Sequence, residues 1–145
     1  MKVLVTGANG FLASNIIREL LDRGYQVKGM LRKGSNQLAL KGLDCEFVFG
    51  NITVYEDVLK ACNGCDVVIH AAANTSQASL NFDQYVPVNI EATEYILQAS
   101  IQSRCKRLIF VSTANTIGYG SAMSPGREDN RISPVFQNQD MLIVN

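Results

Sequence analysis

Lys2-Val3-Leu4-Val5-Thr6-Gly7-Ala8-Asn9-Gly10-Phe11-Leu12-Ala13 decides the fold. Val3-Leu4-Val5 is a short continuous apolar run, the pattern of a parallel strand buried on both faces. Gly7 lets the chain leave that strand in a tight turn, and Gly10 opens a helix without a Cβ in the way. Ala13 is small enough for the helix to pack closely on the strand. The spacing is G-x-x-G-x-x-A, a dinucleotide fingerprint whose first gap is one residue longer than usual. A helix starting near Gly10 turns its unpaired N–H groups and positive dipole end toward a phosphate. A plain strand–turn–helix that binds nothing carries the same elements, so the rest of the chain has to decide.

Helical spacing continues to Arg23, with Phe11, Leu12, Ile16, Ile17, Leu20 and Leu21 as an apolar stripe and Gly24 as the stop. A second strand is expected over 25–31, a short helix or loop over 37–41, and a third strand over 44–49. Thr53 and Glu56 have the spacing of a capping box for the next helix. Strand four is expected over 66–71. A polar loop, a long helix to about Ser103 with Pro87 in its first turn or kinking it, and a fifth strand over 107–112 follow. Val88, Ala92, Tyr95, Ile96 and Ala99 form that helix's apolar face. From Thr113 onward Gly, Ser and Pro dominate, which reads as a loop at the carboxyl edge of the sheet. Alternating strands and helices predict an α/β fold: a doubly wound parallel Rossmann sheet of five strands in the order 3-2-1-4-5, helices on both faces. The whole of 1–145 is expected to be one such domain, with 113–145 its substrate-side loop and the start of a further element.

Thirteen basic and thirteen acidic residues cancel, which argues against a nucleic-acid or membrane-surface partner. No apolar run approaches ~18 residues, so no membrane span is expected. The start of the chain has no leader pattern, and a cytoplasmic location is the expectation. Cys62-Asn63-Gly64-Cys65 has C-x-x-C spacing with His70 nearby, yet no second ligand pair accompanies it. The four cysteines are expected to be ordinary reduced thiols, and no metal site is expected.

Cofactor choice turns on the end of the second strand. An NAD binder usually carries Asp or Glu there for the ribose hydroxyl. None occurs between Tyr25 and Leu40; Arg32 and Lys33 stand there instead. Arg grips a 2′-phosphate bidentately and Lys adds charge, so NADP rather than NAD is expected. A solvated basic turn is the bland alternative.

Thr6-Gly7-Ala8-Asn9-Gly10-Phe11-Leu12 resembles the Thr-Gly-x-x-Gly-Phe-x-Gly signature of the extended short-chain dehydrogenase/reductase family, with Ala13 replacing the last Gly. The segment from Gly24 to Arg32 is similar to that family's dihydroflavonol-reductase branch, whose matching Arg serves NADP. Further matches are Gly50-Asn51-Ile52, Val68-Ile69-His70-Ala71-Ala72-Ala73, Asn89 with its helix, and Phe110-Val111-Ser112-Thr113. The resemblance implies cofactor contacts at Gly7, Asn9, Gly10, Phe11, Leu12, Arg32, Lys33, Asn51, Ile52, Ala71, Ala72 and Ala73. It implies a cofactor-wall rather than a catalytic role for His70, the only histidine. Thr113 takes the place of the catalytic Ser, able to hydrogen-bond a substrate oxygen, and Asn89 that of a structural or proton-relay Asn. Asn51, where the family has Asp, could still accept from the adenine amino group. Glu128 and Pro134 match the substrate-side loop.

Family chemistry needs Tyr-x-x-x-Lys, in which Lys lowers the Tyr pKa and both side chains share one helix face. No tyrosine here has Lys four residues on, and no Lys follows Lys106. The resemblance puts that pair near or past Asn145, so it implies the cofactor half of a longer reductase, epimerase or dehydratase acting on a small carbonyl or sugar-like alcohol. Members often dimerise through two helices, which makes a homodimer an expectation of the resemblance. A non-catalytic dinucleotide-binding sensor or partner-binding module, or a fold relic that binds nothing, stays open beside the enzyme.

Overall fold

The computed structural model describes residues 1–76, 81–113, 121 and 123–127. Five strands, β1 (Lys2–Thr6), β2 (Gln26–Leu31), β3 (Glu46–Phe49), β4 (Val67–His70) and β5 (Arg107–Phe110), form one sheet in the order β3-β2-β1-β4-β5. Every pairing is parallel, with Thr6 opposite Met30 on one side and opposite His70 on the other. The expected topology is the observed one.

The apolar run of β1 is explained by the two layers it separates. Val3 and Val5 enter a core with Ala13 and Ile17 of α1 (Phe11–Asp22), together with Val27 and Leu31. Leu4 points the other way, into a core with Val58 of α2 (Tyr55–Cys62), Ile96 and Ala99 of α3 (Ala92–Gln102), and Val68. Complete burial of Leu4 and Ile17 contributes about 2 kcal/mol each. Ala13 is buried, as its packing role requires. Gly29 admits Ala8, whose Cβ would lie 2.9 Å from a Cβ at that position.

Three local expectations are corrected. Phe11 and Leu12 are not core residues: they are 87% and 50% exposed. The first turn of α1 is buried through Ala13 and Ser14 instead. The capping box at Thr53 and Glu56 does not form. Val54 stands at the N-cap with no side-chain cap, because Thr53 is held in a turn by its own N–H donating to Asn51 Oδ1 at 3.1 Å. Asp57 Oδ2 instead accepts from Asn51 N–H at 2.8 Å, joining the first turn of α2 to the end of β3. The long helix also starts differently. Val86–Glu91 is a π-helical segment that runs into α3, with Pro87 at its first positions. Proline there needs no N–H partner, and Val88 still packs against the core with Ala92 and Ile96.

The amino ends of the strands carry charges. Lys28, 5% exposed, donates from Nζ to Asn63 O at 2.9 Å and Ala61 O at 3.2 Å, closing the carbonyl end of α2. Lys2 pairs with Glu46 and Lys106 with Asp66, at 2.5 and 2.9 Å. Each carboxylate is held below its ordinary range, chiefly by the hydrogen bond from its lysine.

Candidate functional site

A cleft of about 420 Å³ opens at the carboxyl edge of the sheet, lined from the Gly7, β2, β3 and β4 turns. Open parallel sheets bind ligands at this edge, where the turns of neighbouring strands part. β1 delivers Gly7, Asn9 and Gly10; β2 delivers Arg32; the β3 turn delivers Asn51 and Ile52; β4 delivers Ala71, Ala72 and Ala73. All of these were picked from the sequence.

The glycines have physical reasons. Gly7 has φ +67°, and a Cβ there would meet Ala72 Cα at 2.9 Å. Both conditions demand glycine. Gly10 has an ordinary φ of −71°, so strain is not the reason for it. A Cβ at Gly10 would lie 3.1 Å from Gly7 O, which already accepts Gly10 N–H at 2.8 Å. Gly10 is also the N-cap of α1 and offers no side-chain cap. The first helical turn therefore keeps main-chain N–H groups to offer a ligand anion.

Several expected residues stand elsewhere. The exposed side chains of Phe11 and Leu12 are not among the described lining residues, so what these two positions can present is main-chain N–H. Lys33 is exposed and outside the lining, whereas Arg32 is within it. The Arg32 carbonyl accepts Ser35 Oγ at 2.7 Å, which folds the following turn. Thr113 is half-buried, three residues past the end of β5, and is not among the lining residues. Glu128 and Pro134 lie outside the described residues.

His70 is not a wall of the cleft. It is 1% exposed, and its Nδ1 lies 2.8 Å from Thr6 Oγ1, its Nε2 3.2 Å from Thr93 Oγ1. Burial pushes its pKa down to about 4. The alternation along β4 puts residue 70 toward the α3 layer, beneath the strip that lines the cleft. Asn89 uses both ends of its amide on one neighbour: Oδ1 accepts Asn74 N–H at 2.7 Å, and Nδ2 donates to Asn74 O at 3.1 Å. It clips the chain after β4 to the π-helical segment.

Met30, Leu31, Gly50, Asn74 and Val88 also line the cleft and were not picked from the sequence. Gly50 carried a signal, since it begins the β3 turn. Met30 and Leu31 could have been found as the carboxyl end of β2. Asn74 is joined to the segment carrying Val88 by the Asn89 clip, for which spacing offers no sign.

Cys62 and Cys65 are buried; burial raises both thiols, Cys62 to about 12. Among the described residues no cluster could hold a metal. No helix among them is long and apolar enough to cross a membrane.

Sheet order, glycine turn and cleft define the class: a Rossmann-type dinucleotide-binding fold of the extended short-chain dehydrogenase/reductase type. The chain belongs to the NAD dependent epimerase/dehydratase family, whose model matches residues 3–140. It is 30% identical to a sterol-4-alpha-carboxylate 3-dehydrogenase (decarboxylating) of Dictyostelium discoideum, covering 93% of this chain and 42% of that protein. It is 30% identical to a putative dihydroflavonol 4-reductase of Synechocystis sp., covering 97% of this chain and 47% of that one. The UDP-glucose-4-epimerase of Stenotrophomonas maltophila, solved with bound NAD and formylated UDP-arabinopyranose, superposes with a TM-score of 0.80 at 25% identity. That match covers 92% of this chain and 43% of the epimerase. The chain thus spans less than half the length of these relatives.

Proposed function

We propose that this chain is the coenzyme-binding part of an NADP(H)-dependent reductase, epimerase or dehydratase that moves hydride to or from a small carbonyl or sugar-like alcohol. The observation that carries the reading is the uncapped start of α1 behind the Gly7–Gly10 turn, facing a cleft with Arg32 in its lining. The turn glycines and the first N–H groups of α1 would hold a pyrophosphate. Gly50, Asn51 and Ile52 would border the adenine side. The small residues Ala71–Ala73 would let the ribose and nicotinamide approach the main chain. The bound nicotinamide would donate or accept the hydride. Thr113 would hold the substrate oxygen, and Asn89 would keep the β4 turn in place.

Arg32 is the charged residue among the described lining residues, and no carboxylate there would bind a ribose hydroxyl pair. A guanidinium in that place favours a 2′-phosphate. Arg32→Asp should weaken NADPH binding about a hundredfold while leaving NADH within about threefold, since a charge-assisted pair becomes a repulsion. Fluorescence titration of the protein with each coenzyme reads this out. Equal losses for both would remove the 2′-phosphate assignment.

A further inference from the structure

The hydrogen bonds around His70 have a direction that the heavy atoms fix. Thr6 Oγ1 accepts the N–H groups of Ala71 and Ala72, both at 3.2 Å, which occupies both of its lone pairs. Its proton therefore goes to His70 Nδ1 at 2.8 Å. A neutral imidazole accepting at Nδ1 carries its proton on Nε2, which donates to Thr93 Oγ1 at 3.2 Å. The Thr93 hydroxyl then donates to Asn89 O at 2.8 Å. The Asn89 amide closes the circuit on Asn74. The line runs from the end of β1, through β4, to the π-helical segment and back to the strip after β4. No buried side-chain polar atom among the described residues is left without a partner.

The other tautomer breaks this line. A proton on Nδ1 would ask Thr6 Oγ1 to accept a third bond, and the bare Nε2 would face a Thr93 proton already committed to Asn89. The doubly protonated ring fails at Thr6 for the same reason. The groups facing the imidazole are the Thr6 hydroxyl from β1, the Thr93 hydroxyl from α3 and the Phe110 ring from β5, at 5.6 Å between centroids. No ionised side chain contributes to its shift, which burial alone causes.

We propose that His70, fixed as the Nε2–H tautomer, is the positioning residue that sets the spacing between the Gly7 turn and the Ala71–Asn74 strip, and so how tightly the cleft grips a dinucleotide. This rests on the coenzyme-binding reading above. Every segment the circuit joins contributes lining: Gly7 beside Thr6, Ala71–Asn74 beside His70, and Val88 beside Asn89. Gly7 and Ala72 already stand at a separation that no Cβ could enter. Small errors in that spacing would reach the ligand directly.

The chain has one histidine, so long-range proton–nitrogen correlation of the ¹⁵N-labelled protein gives one imidazole signal. The expected spectrum has Nε2 protonated and Nδ1 unprotonated from pH 8 down to pH ~5. The opposite tautomer, or titration near the ordinary value, overturns the proposal without any variant or coenzyme. In the second arm, NADPH is titrated into the unchanged protein, His70→Phe and His70→Gln, with melting curves as the check on folding. His70→Phe should lower affinity about tenfold, and His70→Gln, which keeps an acceptor and a donor, should recover most of it. Should His70→Phe not fold, Thr93→Val, which removes the acceptor for Nε2–H, should lower affinity several-fold in its place. Affinity insensitive to these changes defeats the inference alone. No binding by the unchanged protein defeats the coenzyme reading on which it rests.

Discussion

At the amino edge of the sheet full charges make the polar contacts: buried Lys28 on the Ala61 and Asn63 carbonyls, and the more exposed pairs Lys2–Glu46 and Lys106–Asp66. At the carboxyl edge the buried contacts around His70 fall to neutral groups: Thr6, His70, Thr93 and Asn89. The difference follows from what each edge has to leave free. An anionic ligand needs main-chain donors left free: the start of α1 has no side-chain cap, whereas Asn51 N–H is already taken by Asp57 Oδ2. At the amino edge nothing has to be left open, so ion pairs can bind the strand starts together. Exposed pairs such as Lys106–Asp66 add little individually; buried Lys28 matters because its ammonium closes a helix end.

Breaking the carboxyl edge at its tightest point should have the largest effect. Gly7→Val puts a branched side chain at φ +67° and against Ala72. It should cost roughly 4 kcal/mol by denaturant titration and abolish coenzyme binding. A stable variant that still binds would mean the two turns can separate freely.

Acid should break the same edge next. The folded-state pKa of His70 is lowered from 6.5 to about 4. The unfolded chain thus takes up the proton first, and the stability that the neutral ring contributes is present above pH 6.5 and lost as pH falls toward 4. The loss is about 3 kcal/mol over that window. Glu46 and Asp66, lowered by their lysines, lose their share only below their ordinary values of 4.5 and 3.8. A decline between pH 6.5 and 5 therefore reports His70, and it should be flatter in His70→Gln. No decline there would mean the ring is solvated.

The smallest effect sharpens the contrast from the other side. Lys28→Met should cost about 2 kcal/mol, because the Ala61 and Asn63 carbonyls lose their donor. NADPH affinity should not change. A weakened affinity would show the two edges coupled through β2.

Much of the cleft was legible because its pieces are local. Gly7 marks the turn by its positive φ, Gly10 by the closeness of the Gly7 carbonyl, and small residues at the end of β4 mark a close approach. Elements with strong periodicity were equally readable: the stripe of Ala92, Ile96 and Ala99 is the buried face of α3. Errors arose where tertiary context decides. Phe11 and Leu12 fit the apolar stripe of α1, but that turn is buried through Ala13 and Ser14 instead. Thr53 had the right spacing for a cap and lost it to a turn closed by Asn51. The π-helical start of α3 has no periodic signature at all.

By itself the sequence determined the alternation of strand and helix, the parallel sheet and the glycine turn between β1 and α1. Those depend on residues a few positions apart, whose spacing obeys the periods of strand and helix. Only the tertiary structure decided that His70 lies under the cleft rather than in it, that Asn89 clips Asn74, and that Arg32 rather than Lys33 lines the cleft. Each of these depends on where distant segments meet, and hydrogen-bond direction exists only once donor and acceptor have been brought face to face.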